Sequence, residues 1–503
     1  MGHVSGVSTV QSRAPAGLDA PLVRVEVHLG PGLPALFMVG LPEAAVRESK
    51  ERVRSALLTA GFAFPAGRIT VNLSPADLPK EGGRFDLPIA IGILAASGQL
   101  SRRALVGREF YGELALGGEL RETSKLLPAL LAGSRQGAEL ILPAANGLEA
   151  AIVGCRRLKL ATHLLQVYEA LNGRGALATA PPQRWPAPRE APDLADIRGQ
   201  YGAKRALEIA AAGEHGLLMI GPPGAGKTLL AQRLPGLLPP LTPSEALDVA
   251  SLESVAGRRP TGGGRRPFRN PHHTATVAAL LSGGGLMPGE LSLAHLGVLF
   301  LDELPEFARV ALEALREPLE SGVVALCRVK RSCEFPAKFQ LVAAMNPCPC
   351  GYAGDPGGRC RCTADQILRY RNRLSGPLID RIDMHVELSA LPLEHLLCGT
   401  APAAESSRSV ATRVAAARDI QMNRQGKLNA RLTAIEVTRH CALTSESRGL
   451  MSTAIERLGL SARAFHGVLK LARTCADLAA MPDIRRSDVC EAIGLRALDR
   501  RTR

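Results

Sequence analysis

The string GPPGAGKT, Gly221–Thr228, fits the spacing G-x-x-x-x-G-K-[ST] of a loop built to hold phosphates. Glycines leave backbone N–H groups free to approach phosphate oxygens, and the N-terminus of a following helix favours their charge. Gly221, Pro222, Pro223, Gly224, Ala225, Gly226, Lys227 and Thr228, with Leu229 behind them, form the candidate nucleotide loop. Lys227 is expected to reach the β- and γ-phosphates of ATP, and Thr228 to ligate Mg²⁺. A chance glycine-rich turn would have the composition without the flanks. Here an apolar strand, Leu217–Ile220, precedes the loop and a helix-forming run follows it.

Two further segments deliver polar groups at the ends of apolar strands. GVLFLDEL offers Asp302 for Mg²⁺ and Glu303 to polarise an attacking water. The plain alternative is a strand end that happens to carry acids. FQLVAAMNP ends in Asn346, whose amide suits orientation of the lytic water, although an Asn closing a turn before Pro347 looks the same locally. Just beyond, Cys348, Cys350, Cys360 and Cys362 give C-x-C-x₉-C-x-C. Four thiolates suit tetrahedral Zn²⁺, and four protein ligands leave no open position, so such a site would be structural. The C-x-C spacing is tighter than the usual C-x₂-C, and free or oxidised thiols are the alternative.

Basic side chains cluster twice. Between Ser254 and Gly289 stand Arg258, Arg259, Arg265, Arg266 and Arg269 with no acid, and ALCRVKRS brings Arg328, Lys330 and Arg331 to what reads as a hairpin tip. Such groups suit sequence-independent, salt-sensitive contacts with nucleic-acid phosphates, or serve as solvated loops. His272 and His273 read as polar loop residues rather than metal ligands.

The elements that must position these residues are legible from periodicity. PLVRVEVHL and GRITVNL alternate like strands, and PEAAVRESKERVRSALLTAG reads as an amphipathic helix ending at Gly61. Strands alternating with helices around the phosphate loop imply a parallel sheet. From about residue 403 the chain reads as helical. A Pro/Ala-rich stretch, 176–193, reads as a linker. The expected organisation is an α/β N-terminal domain over 1–175, a parallel-sheet ATPase core over 194–395 with a cysteine loop at 348–362, and a helical domain over 396–503.

Composition sets bounds. The 503 residues are 46% apolar, enough for several buried cores, and no run of 18 apolar residues exists to span a bilayer. The most apolar stretch, Leu87–Ala96, contains Pro88. The N-terminus lacks the apolar segment of a secretory signal, so a cytoplasmic location and reduced thiols are expected for the 11 cysteines. The net charge of +14 is compatible with a polyanionic partner, and only 3% aromatic residues disfavour recognition by many stacked bases.

At the level of whole strings, PHHTAT, LSGGG, PGELSLAHLGVLFLDELPEF, AAMNPCPCGY and LSGPLIDRIDMHVEL resemble the ComM/YifB family of magnesium-chelatase-like AAA+ ATPases. GLPEAAVRESKERVRSAL and LSPADLPKEGGRFDLPIAIGIL extend the resemblance to a Lon-protease-like (S5-like) N-terminal domain, and it covers about residues 8–500. The resemblance implies a homo-hexameric ring with active sites between subunits. It makes Arg381 an arginine finger and Arg463 a sensor arginine of the helical lid, and sets Gly199 and Gln200 beside the adenine. It implies that the 254–289 insertion and the 328–331 hairpin face a central pore. Where Lon proteases carry a Ser–Lys dyad, this chain offers Arg84 and Phe85, then Arg121, with Ser74 and Lys80 nearby, so a non-proteolytic scaffold is expected. The activity implied is a DNA helicase promoting branch migration in homologous recombination and natural transformation. The partners implied are single-stranded, forked or branched DNA and recombination proteins. A chelatase-type ATPase remodelling a partner protein is the competing expectation.

Overall fold

The computed structural model describes residues 6–40, 44–181, 192–260, 264–284, 286–328, 331–354, 357–390, 405–496 and 498. Most of the expected linker, Lys330 and the final residues fall outside that set. The chain forms two compact units, one of Met1–Ala187 with Ala246–Gly263, the other of Pro188–Glu245 with Gly264–Arg503.

In the first unit, alternating apolar residues build one eight-stranded mixed sheet. Gly6–Arg13 pairs antiparallel with Leu22–Gly30, which pairs antiparallel with Arg68–Ser74. Beyond Gly6–Arg13 the sheet continues in parallel through Arg108–Phe110, Glu139–Pro143 and Leu158–Ala161. The apolar stretch that is too short to span a membrane is a core helix, Asp86–Ala96, in which every residue is buried. Among the described residues no helix is long and apolar enough to cross a membrane. Gly92 explains the close fit of that helix on the sheet. A Cβ there would stand 2.6 Å from a Val27 methyl carbon.

The second unit holds a five-stranded parallel sheet ordered Phe268–Arg269, Val298–Leu301, Gln340–Met345, Leu217–Ile220, Met384–Glu387. Its three central strands are buried on both faces, which is why they read as continuous apolar runs rather than alternating ones. C-terminal helices Ser407–Gln425 and Ala462–Leu478 share one core with helix Tyr201–Gly213: Val414, Leu471 and Ala472 are buried in the same cluster as Ala206 and Leu207.

The compact units divide the chain differently from the expected organisation in two places. Residues 246–263 leave the ATPase unit for the N-terminal one, because Ser254 Oγ donates to buried Glu149 at 2.6 Å and accepts from the Leu127 N–H at 3.3 Å. The C-terminal helices do not form a separate compact body, because their apolar faces complete the core of the parallel-sheet unit.

Candidate nucleotide site and cysteine cluster

In an all-parallel sheet every strand ends at the same edge, so loops after neighbouring strands converge there. The strand Leu217–Ile220 runs into the glycine-rich loop, Val298–Leu301 into Asp302 and Glu303, and Gln340–Met345 into Asn346. Together they line a cavity of about 390 Å³ reaching from Pro223 to Leu229 and including Met345.

Lys227, at the first turn of helix Lys227–Leu237, donates from Nζ to the carbonyls of Gly221 (2.6 Å) and Pro222 (3.0 Å) and to Asn346 Oδ1 (3.1 Å). Burial pulls its ammonium below the usual lysine range, opposed by Asp302 and Glu303. Thr228 Oγ1 donates to Asp302 Oδ2 at 2.7 Å. That hydroxyl–carboxylate pair, opposite the phosphate loop, is a donor set of hard oxygens that fits Mg²⁺. Bound there, the ion would offset charge on the transferring phosphoryl group. Glu303 takes a left-handed backbone, φ 53°, and keeps its side chain half-exposed at the cavity wall. Gln200, also left-handed, donates from its amide to the carbonyls of Ala225 (3.1 Å) and Ser389 (2.8 Å) and so braces the loop, and neither it nor Gly199 lines the cavity.

Arg381 and Arg463 lie elsewhere. Both converge on Glu320, at 2.6 and 2.9 Å, along a second cavity of about 240 Å³. Hydrogen bonding by Arg463 foremost, with Arg381 adding charge, holds Glu320 below the usual carboxylate range. Arg463, expected as the lid arginine that contacts bound nucleotide, is not among the residues lining the phosphate cavity. Glu320 was missed in the sequence because it pairs with an arginine 143 residues away.

The basic cluster is divided. Arg258 and Arg259 belong to the first unit, and Arg259 is 84% exposed near Glu122. Arg265 is exposed. Arg266 and Arg269, also expected as nucleic-acid contacts, are engaged by partners within the protein. Arg266 is partly buried and donates to the carbonyls of Pro239 (2.7 Å) and Leu296 (2.8 Å). Arg269 forms a bidentate pair with Glu290, both contacts at 2.7 Å. The strands Val323–Arg328 and Arg331–Pro336 pair antiparallel, with Arg328 and Arg331 as backbone register partners. In the N-terminal unit, Arg84 is fully buried and donates to the Ser124 carbonyl at 2.7 Å beside buried Phe85, while Arg121 is exposed. Buried Lys80 donates to the carbonyls of Gly40 and Pro75 rather than to the Ser74 hydroxyl.

The four cysteines of the 348–362 loop come together, every sulfur within 4.8 Å of the others. The Sγ separations are 3.3 Å for Cys348–Cys350, 3.6 Å for Cys350–Cys360 and 3.8 Å for Cys348–Cys360. Zinc–sulfur bonds of about 2.3 Å in a tetrahedron set sulfurs about 3.8 Å apart, so the cluster fits that ion. Backbone N–H groups of Tyr352, then Arg361, hold the Cys350 thiol down, to about 6.

A parallel sheet with a phosphate loop, an acidic pair and a terminal Asn at one edge, joined to a helical C-terminal region, defines a nucleotide-binding core of the AAA+ kind. Residues 193–396 match the family described as magnesium chelatase, subunit ChlI. Residues 25–146 match subunit ChlI of Mg-chelatase, and 404–496 match its C-terminal region. The chain belongs to the magnesium-chelatase-like AAA+ family that includes ComM and YifB: it is 49% identical to competence protein ComM of Haemophilus influenzae, over 98% of both chains. It is 48% identical to the uncharacterised protein YifB of Escherichia coli, again over 98% of both. The magnesium-chelatase 67 kDa subunit of Heliobacterium mobile is 30% identical over 38% of this chain and 30% of its own length. Membership of this family suggests an ATPase using nucleotide and Mg²⁺.

Proposed function

We propose that this chain is an ATP-driven, hexameric DNA motor, a helicase that promotes branch migration during homologous recombination and natural transformation. The observation that carries the ATPase half is the single cavity joining Lys227, the Thr228–Asp302 pair, Glu303 and Asn346. In this reading Lys227 binds the terminal phosphates, Glu303 polarises the attacking water and Asn346 orients it. Arg381 and Arg463, paired on Glu320 away from that cavity, serve a neighbouring subunit's nucleotide. Whole-length similarity to a competence protein and a net charge of +14 support DNA as the substrate. Arg258, Arg259, Arg265 and the 328–331 hairpin are its candidate contacts. The cysteine cluster, in this reading, holds one structural Zn²⁺ per chain.

The deciding experiment is steady-state ATP hydrolysis without DNA, then with single-stranded, duplex and four-way-junction DNA, at two salt concentrations. Salt-sensitive stimulation, strongest with junctions or forks, is expected. Hydrolysis indifferent to every DNA would leave the second reading, an ATPase that remodels a partner protein, which the partial likeness to a chelatase subunit favours. Metal analysis of the purified chain should find one zinc, lost in Cys360→Ser.

A further inference from the structure

His215 stands between helix Tyr201–Gly213 and strand Leu217–Ile220, and it is fully buried. Both ring nitrogens are engaged. Nδ1 lies 3.0 Å from Asp383 Oδ2, and Nε2 lies 2.8 Å from Thr474 Oγ1. The Thr474 hydroxyl donates its one hydrogen to the Lys470 carbonyl at 3.0 Å and accepts from Asn429 Nδ2 at 3.0 Å. Its remaining lone pair accepts from Nε2. An ionised carboxylate only accepts, so Nδ1 donates to Asp383. Burial pushes the Asp383 carboxyl up, but the His215 hydrogen bond, with charge from His215, Lys470 and Arg496, leaves it below the usual range. The ring is lodged as well as bonded: a Cβ on Gly213 would stand 2.2 Å from Nε2.

Each partner of His215 belongs to a segment that carries an arginine. Asp383 comes two residues after Arg381. The chain from 381 to 384 is laid on Gly216, the residue after His215. The Met384 N–H donates to the Gly216 carbonyl at 3.0 Å, and a Cβ on Gly216 would meet Ile382 Cα at 3.5 Å. Thr474 lies on helix Ala462–Leu478, whose second residue is Arg463. The Thr474 end is fixed in turn. Asn429 donates also to Asp477 at 2.9 Å, and Arg424 donates twice to that buried carboxylate, at 2.6 and 2.9 Å. His215 is thus a buried bridge from the Arg381 segment to the Arg463 helix. Both arginines line the second cavity, with Asp383, Gly216 and Lys470, and meet there on Glu320.

We propose that His215 is a positioning residue: it locks the segment bearing Arg381 to the helix bearing Arg463, so that the two guanidiniums are presented to a neighbouring subunit's nucleotide in one fixed geometry. This deepens the reading of these arginines as groups that serve a shared site, and rests on it. An imidazole suits the task, because two donors on one rigid ring hold a carboxylate and a hydroxyl at a set separation.

The test is steady-state ATP hydrolysis by the full-length chain carrying His215→Phe, and by Thr474→Val beside Thr474→Ser. Affinity for a fluorescent ATP analogue serves as the check on the phosphate cavity. Loss of the bridge should lower kcat about 10- to 100-fold, the scale of misplacing a reacting group by about 1 Å. KM for ATP and analogue affinity should change little. Thr474→Ser keeps the hydroxyl and should turn over near the wild-type rate. Added to Arg381→Ala, His215→Phe should lower kcat no further than Arg381→Ala does alone, because residues acting through one group are not additive. An unchanged kcat in both His215→Phe and Thr474→Val overturns the proposal. So does a full further loss in the Arg381→Ala background. So does loss of analogue binding in both single variants, which would make His215 part of the pocket's fold. Normal turnover by Arg381→Ala alone would instead remove that arginine from its role, a separate failure.

Discussion

At the scale of single residues, the phosphate cavity is a set of mutual restraints. Lys227 is held by two carbonyls and by Asn346, so phosphate oxygens arriving at the loop replace existing hydrogen bonds rather than recruit a free side chain. Glu303→Gln should therefore keep nucleotide affinity and lower kcat by about 100-fold or more, measured by analogue binding beside phosphate release. Asp86 makes a different case. Burial pushes its carboxyl up to about 6, against the hydrogen bonds from Arg52 at 2.7 and 3.2 Å. Its folded pKa lies above the unfolded value of about 3.9. The stability it contributes is thus full below pH ~4 and lost as pH rises through about 6. Chemical denaturation across pH 4 to 7 should show wild-type stability falling relative to Asp86→Asn by on the order of 2 kcal/mol. A difference that stays flat with pH would refute the raised pKa.

At the scale of elements, the cysteine loop is tied to the phosphate loop by close packing. Gly351 has φ +85°, and a Cβ there would meet the Pro223 ring at 2.7 Å. Gly354 has nearly the same φ, +83°, but faces open space. The two glycines make a matched pair, since Ala costs about 1 kcal/mol of left-handed strain at either. Only Gly351→Ala should also displace Pro223 and weaken ATP-analogue binding by about tenfold. Equal effects of the two substitutions would show that the packing is incidental. Cys348 stands two residues after Asn346 and is fully buried, so a metal held by the four thiols would brace the strand end that carries the amide.

At the scale of the whole molecule, the prediction concerns shared sites. Arg381 is withdrawn onto Glu320 and lines a cavity other than that of its own phosphate loop. If it completes a neighbour's site, Arg381→Ala should bind nucleotide normally and lose about 10³-fold in turnover, the scale of an arginine supplied in trans. Mixed with wild type, it should depress activity more than its mole fraction does, read from a titration of hydrolysis rate. A linear titration would mean independent sites.

Much of the fold and site was legible in the sequence because it rests on local pattern. Leu217–Ile220, Val298–Leu301 and Gln340–Met345 read as buried strands because a strand covered on both faces needs unbroken apolar residues. The polar residues after each read as a site because parallel strands share one functional edge. The four cysteines stood out by spacing. What sequence could not supply was partnership between distant residues. Arg266 and Arg269 carry the same charge as Arg265, and only folding gives the first two carbonyl and carboxylate partners. His273 reaches Glu303 through a strand of two residues, too short to leave a periodic signal. Glu320 gathers two arginines that no spacing rule connects. Short-range chemistry and hydrophobic period are written along the chain, whereas which charges are satisfied depends on the tertiary contacts that bring their partners within 3 Å or so.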